Sequence, residues 1–104
     1  MTIGYVYVIG SMEHFNYVKI GISRKLPHEF RLRELQTGNP FLLQVWGIFP
    51  VSQIHILKCE KFIHEKIKDS RHRSEWFEIN PRKALLIVEK LICEFSKKEK
   101  NNDT

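Results

Sequence analysis

The chain has 104 residues, 42% of them hydrophobic and 28% charged, a composition typical of a single globular domain. No apolar run approaches the roughly 20 residues that span a bilayer, and the N-terminus lacks a basic segment followed by a hydrophobic one. These features argue against a membrane protein and predict a cytoplasmic location. The net charge of +5 favours an anionic partner.

Residues 4–9 and 17–22 predict two β-strands, because apolar and polar residues alternate there and β-branched and aromatic types dominate. The polar segment between them contains turn residues and predicts a hairpin. One face of this hairpin is apolar, and the other carries phenols and an ammonium. The residues on that second face are Tyr5, Tyr7, Tyr17 and Lys19. Such groups on an exposed sheet face are unusual for a scaffold, so we expect the function there.

A helix is predicted over residues 27–36, because Pro27 suits a first helical position and Gly38 suits a left-handed cap after the last turn. Residues 41–49 are apolar almost throughout and predict a third strand that is either central in the sheet or covered on both faces. Pro50 is expected to end this strand because it cannot donate a backbone hydrogen bond.

Two further helices are predicted from apolar residues at helical spacing, over residues 52–68 and 81–95. Glu60 lies at the shoulder of the apolar face of the first of them, and His64 lies one turn further along. Residues 96–104 are charged and polar, and we expect a disordered tail.

The predicted order is β-β-α-β-α-(β)-α within a single domain over residues 1–95. A hairpin makes the sheet at least partly antiparallel, so the expected class is α+β, with helices covering the sheet.

Several short motifs occur together in a recognisable order. They are Tyr5-Val6-Tyr7, Lys19-Ile20-Gly21-Ile22-Ser23, Arg31-Leu32, Leu35-Gln36-Thr37-Gly38-Asn39-Pro40, Glu60 with His64 four residues later, and Glu75-Trp76-Phe77. This arrangement resembles the GIY-YIG nuclease superfamily, and in particular the small phage and bacterial proteins whose second motif reads K-I-G-x-S. The resemblance covers about three quarters of the chain.

The resemblance implies a three-stranded antiparallel sheet flanked by helices and metal-dependent hydrolysis of a DNA phosphodiester. It also implies a single divalent cation, Mg²⁺ or Mn²⁺. Tyr7 matches the tyrosine of the first motif, Arg31 matches the helix arginine, and Glu60 matches the lone metal-binding carboxylate. A hard cation on one carboxylate, with water and phosphate oxygens as its other ligands, fits magnesium.

Lys19 stands where most of the superfamily has its second tyrosine. Tyr17, on the same strand face, or Tyr5, on the first strand, would supply the missing phenol, although packing or substrate contact is the alternative role for both. Because a nearby ammonium favours a phenolate, we expect Lys19 to lower the pKa of Tyr7 or to contact phosphate. Tyr7 would then act as general base or position the water.

Cations are concentrated between residues 15 and 33, beside the tyrosine face, where a single anion, Glu29, accompanies five of them. The residues expected to contact nucleic acid are Arg24, Lys25, Arg33, Asn39, His64, Arg71 and Arg73. Each has a structural alternative: a solvated surface for the arginines and the lysine, a helix stop for Asn39, and helix packing for His64. Residues 75–77 are interpreted as structural.

Three functions remain open from the sequence. The first is a DNA endonuclease, the second is a DNA-binding module of the same fold that does not cleave, and the third is a protein-interaction or regulatory domain. No appended recognition domain is present in the sequence, so specificity for DNA would come from DNA shape, from a homodimer or from a larger protein assembly.

Overall fold

The computed structural model describes residues 3–27 and 30–102. Within these ranges the elements are β1 (Ile3–Ser11), β2 (Val18–Ser23), α1 (Arg31–Gln36), β3 (Leu43–Ser52), α2 (Ile56–Lys66), β4 (Arg71–Arg73), β5 (Trp76–Phe77) and α3 (Pro81–Asn102). Short 3₁₀ turns precede and follow α2. The α+β class is confirmed. None of the described helices combines the length and the apolar character that crossing a bilayer requires.

The described sheet has five strands in the order β3-β1-β2-β5-β4, with antiparallel pairing throughout, and not the three strands that were predicted. The two additional strands have three and two residues and form a hairpin on the free edge of β2. Residues 71–73 are all exposed and polar. Backbone pairing alone makes them a strand, so no apolar alternation marks them in the sequence.

Of the two positions predicted for the third strand, the central one is wrong, because β3 lies at an edge of the sheet. Its side chains do pack into the apolar clusters on both faces. It also continues through Pro50 to Ser52, pairing with β1 along its whole length. An edge strand tolerates proline, since only one of its sides carries ladder hydrogen bonds.

Helices cover both faces of the sheet, and the two faces differ in size. The larger core joins β1 and β2 to α2 and α3, and its fully buried members include Val8, Ile63, Phe77 and Val88. The opposite face holds a smaller cluster of Tyr7, Ile9 and Leu43, against which leucines of α1 pack. The tyrosine face is therefore not an open sheet surface as expected, because α1 folds over it.

Two helix boundaries differ from the predicted ones, namely the start of α1 and the end of α3. α1 begins at Arg31, and Pro27 lies in the turn before it; residues 28–29 of the predicted helix lie outside the described residues. α3 continues to Asn102 in place of the disordered tail expected from residue 96. Its extension is rich in good helix formers, and Glu99 lies 3.8 Å from the ring of His55. Residues 103–104 lie outside the described ranges.

Candidate functional site

A cleft of about 360 Å³ opens on the face of the sheet that α1 covers. We call it the central cleft. Its lining residues come from β1, β2, α1, α2 and the turn before β5, and they are Tyr7, Lys19, Ile22, Arg31, Glu34, Leu35, Glu60 and Glu75. The four residues that match the nuclease motifs, Tyr7, Lys19, Arg31 and Glu60, therefore share one cleft.

The free edge of β2 explains how a residue of α2 reaches this face. β5 pairs with β2 only at Val18 and Lys19. At the next residue, the Ile20 N–H donates to the Glu75 carbonyl oxygen at 3.1 Å, and the Ile20 carbonyl lies 2.8 Å from Nε2 of His64. His64 thus ties α2 to the edge of the sheet, and Glu60, one turn earlier, extends past that edge into the cleft.

Gly21 makes room for the phenol of Tyr7. The two residues are directly paired across β1 and β2. A Cβ atom on Gly21 would lie 2.6 Å from the Tyr7 hydroxyl oxygen, 2.8 Å from its Cζ and 3.2 Å from Oε2 of Glu75. The glycine of the K-I-G motif is therefore required by the close approach of the tyrosine ring, and its backbone angles do not demand it.

Two carboxyl groups meet in the central cleft. Lys19 Nζ lies 3.1 Å from Oε2 of Glu75 in a half-buried ion pair. The carboxyl group of Glu60 lies beside that of Glu75, and the two can share a hydrogen bond when one of the acids carries a proton. Burial, followed by the charge of Glu75, raises the pKa of Glu60 to about 7, while Lys19 and Arg31 oppose the shift.

The charges of the central cleft fit a bound cation. Lys19 and Arg31 face three carboxylates, those of Glu34, Glu60 and Glu75. The raised pKa of Glu60 means that its negative charge is unfavourable in the cleft without a nearby cation. Carboxylate oxygen is also the ligand that Mg²⁺ and Mn²⁺ prefer. The donor set is small, since no group of three or more His, Cys, Asp or Glu side chains suited to a metal occurs within the described residues. Water and phosphate would have to complete the coordination.

Tyr7 is buried, and burial raises the pKa of its phenol to about 12, with Glu75 and Glu60 adding to the shift and Arg31 opposing it. The expectation that Lys19 would lower this pKa was wrong. The ammonium of Lys19 is engaged by Glu75, whose negative charge acts on the phenol in the opposite direction. Tyr7 is therefore a neutral hydroxyl at physiological pH in this arrangement.

The two alternative tyrosines lie elsewhere. Tyr5 pairs with Ser23 near the start of β1, and Tyr17 precedes β2 with its ring 4.9 Å from that of His72. Neither belongs to the described lining of the central cleft. This placement favours the packing or substrate-contact role for both.

Five of the seven residues expected to contact DNA are exposed. Arg24 and Lys25 are exposed and line a second cleft beside the first. Arg33, Arg71 and Arg73 are exposed on α1 and β4, with the Arg71 guanidinium 5.5 Å from the ring centroid of Phe77.

The other two have contacts that hold the fold. Oδ1 of Asn39 accepts a hydrogen bond from the Phe41 N–H at 2.9 Å and so closes the turn after α1. His64 contacts Ile20, as above, and its ring lies 5.1 Å from that of Phe77. These contacts favour the structural alternative for both residues.

Glu75 is the site residue that sequence reasoning missed. It was interpreted as structural because it precedes two aromatic residues, and the carbonyl of Glu75 does bond the edge of β2. Its side chain, however, is placed by the turn between β4 and β5, where Ser74 adopts a positive φ of 52°. The available signal was Lys19, an ammonium on a half-buried strand that needs an acidic partner.

The pKa of Glu60 predicts a pH-dependent stability. The folded state binds the proton more tightly than the unfolded chain, whose glutamate has a pKa of 4.5, so stability falls as pH rises from about 4.5 to about 7. With allowance for solvent screening, the fall is on the order of 1–2 kcal/mol. Urea unfolding between pH 5 and pH 8 in chelator is expected to show this slope, and Glu60→Gln is expected to flatten it. An unchanged slope in that variant would contradict the assignment.

The antiparallel sheet, its helices on both faces and the acidic cleft define a small α+β domain with a charged site at a sheet edge. The T5orf172 domain profile matches residues 4–92, and the chain belongs to this family. The family is phage-associated and related to GIY-YIG and other nuclease-like folds, which connects the chain to DNA-related modules. Searches of curated proteins and of solved structures each gave no match.

Proposed function

We propose that the protein is a divalent-metal-dependent DNA endonuclease that hydrolyses phosphodiester bonds in the manner of the GIY-YIG enzymes. The observation that supports this most directly is the meeting of Tyr7, Lys19, Arg31 and Glu60, from four different elements, around one cleft. These residues are far apart in sequence, so their convergence is a property of the fold.

Glu60 is the proposed ligand of a single Mg²⁺ or Mn²⁺ ion, with Glu75 beside it. When bound, the ion would polarise a phosphate oxygen and stabilise the departing alkoxide. Glu60 would exchange its proton for the cation, and Glu75 would remain paired with Lys19, which holds the second carboxylate in position. The apolar side chains of Ile22 and Leu35 line the cleft beside this pair and limit the water around it.

Arg31 is the proposed phosphate contact. Its guanidinium is exposed and lies 3.3 Å from the carboxylate of Glu34 in an i,i+3 pair. Such an exposed pair is worth little, so a phosphate oxygen can replace the carboxylate at small cost. The planar fork of the guanidinium suits two phosphate oxygens at once.

Tyr7 is proposed to position the attacking water. A neutral phenol both donates and accepts a hydrogen bond, and packing against Gly21 holds the hydroxyl in place. Proton removal by Tyr7 would require the added positive charge of a cation close by, because without one the pKa of the phenol is about 12.

A non-cleaving DNA-binding module is the second candidate. It is favoured by one observation, namely that Lys19, in the place of the second tyrosine, is held by Glu75. In that function the exposed arginines and Lys25 would bind the DNA backbone, and the central cleft would be a structural feature.

Nicking of supercoiled plasmid DNA tests the proposal. We expect nicked product with Mg²⁺ and none with chelator, and we expect Tyr7→Phe to slow nicking about a hundredfold through misplacement of the water. Full activity in Tyr7→Phe would contradict the role given to Tyr7. DNA binding that weakens with salt, without nicking under any metal condition, would select the second candidate. Absence of DNA binding at low salt would reject both.

A further inference from the structure

A second cleft, of about 450 Å³, adjoins the central cleft and shares Ile22, Arg31 and Glu34 with it. We call it the basic cleft. The residues that belong to it alone are Ser23, Arg24, Lys25, Phe30 and Ile56. Its balance of charge is the reverse of that in the central cleft, because three cations accompany a single carboxylate. The central cleft thus suits a cation, and the basic cleft suits an anion such as the next phosphate along a strand.

Phe30 gives the basic cleft an aromatic surface. The side chain is 42% exposed, and Nζ of Lys25 lies 4.6 Å from the centroid of its ring. The turn that carries Lys25 is fixed by Ser23, whose buried hydroxyl donates to the Lys25 carbonyl at 2.6 Å and accepts from the Lys25 N–H at 3.2 Å. The Lys25 ammonium covers one face of this ring, and its flexible side chain can move from the ring to a phosphate, which leaves the ring face for a base.

We propose that the basic cleft binds an unpaired nucleotide next to the scissile phosphate, with its base on Phe30 and its phosphate on Arg24 and Lys25. The substrate is therefore DNA that carries a single-stranded segment beside the cleaved bond, and this inference rests on the proposed nuclease function. A base within a duplex is already stacked on both faces and cannot enter a concave site. An unpaired base offers a free face, and aromatic side chains bind such faces with little dependence on sequence.

Binding without cleavage tests this inference. Fluorescence anisotropy in chelator would compare a blunt duplex with the same duplex bearing a short single-stranded extension. We expect the wild type to prefer the extended DNA, and we expect Phe30→Ala to weaken binding to it on the order of tenfold while changing binding to the blunt duplex less than about twofold. Phe41→Ala is the matched control, because Phe41 is 45% exposed and lies outside both clefts.

Phe30→Trp is expected to retain the preference, since it keeps an aromatic face at the same place. Equal weakening of both DNAs by Phe30→Ala, or no effect on either, would overturn the inference, as would the same loss in Phe41→Ala. Thermal unfolding of each variant shows whether the fold is retained. A preference for the extended DNA that depends on Phe30, in a protein that with Mg²⁺ cleaves neither plasmid nor the extended duplex, would support the basic cleft and reject the endonuclease. Cleavage of the extended duplex without that preference would support the endonuclease and reject the basic cleft, so the two failures can be told apart.

Discussion

Glu60→Gln is expected to reduce magnesium-dependent nicking about a thousandfold or more. The substitution keeps the size of the side chain and removes the charge that would hold the cation, and the stabilisation that a bound metal supplies is among the largest single terms in phosphoryl transfer. The same change removes the repulsion between the carboxylates of Glu60 and Glu75, so it is not expected to unfold the protein. Initial rates on supercoiled plasmid over a range of Mg²⁺ concentrations measure the effect.

Glu65→Gln is the matched control for this prediction. Glu65 lies on the same helix, but it is exposed and pairs with Lys68 at 3.0 Å, away from the central cleft. Nicking by this variant should match that of the wild type. A second measurement does not depend on cleavage: Mg²⁺ should raise the melting temperature of the wild type and of Glu65→Gln, because a ligand stabilises the state that binds it, and should leave Glu60→Gln unchanged. Equal nicking by all three proteins would refute the assignment of Glu60.

Gly21→Ala is expected to reduce nicking about a hundredfold and to lower the free energy of unfolding by about 1–3 kcal/mol. The new Cβ would lie within 2.8 Å of the Tyr7 ring and 3.2 Å from Glu75, so the phenol has to move. Tyr7 is buried in the cluster with Ile9 and Leu43, so its ring cannot yield to the new Cβ without moving the hydroxyl out of its present position in the cleft. A displacement of about 1 Å at a catalytic group is enough for a loss of this size.

Gly38→Ala separates the displacement of Tyr7 from a general loss of stability. Gly38 has a φ of +75° and no atom within 4 Å of an added Cβ, so alanine there introduces backbone strain without a clash. The expected destabilisation is about 1 kcal/mol, and nicking at a temperature well below unfolding should be unaffected. Gly21→Ala with unchanged nicking, or Gly38→Ala with an equal loss, would show that the close contact of Gly21 and Tyr7 is not important for activity.

Much of the fold was predictable because it depends on local pattern. Alternation along β1 and β2, helical spacing in α2 and α3, and the left-handed cap at Gly38 each arise from neighbours in sequence. The errors occurred where contacts with distant segments determine the position or the extent of an element. β3 is an edge strand in spite of its apolar residues, and β4 is a strand in spite of its polar ones. The continuation of α3 past Phe95 was missed for the same reason, because its contact with His55 is distant in sequence.

The candidate site was likewise predicted only in part. The order of the motifs was sufficient to select Tyr7, Lys19, Arg31 and Glu60, all of which lie in the central cleft. Glu75 was not selected as a site residue, since its motif, Glu75-Trp76-Phe77, was interpreted as structural. Its place beside Lys19 depends on the hairpin of β4 and β5, which the sequence did not predict.

The amino-acid sequence by itself determined the α+β class, the hairpin and the identity of the side chains that meet in the cleft. Only the tertiary structure decided their states of ionisation. Burial under α1 raises the pKa of Tyr7. Burial, followed by the charge of Glu75, raises the pKa of Glu60, and Glu75 also forms the ion pair with Lys19. The physical reason is that a pKa depends on the solvent and the charges within a few ångströms, and in this chain those charges come from segments that are far apart in sequence.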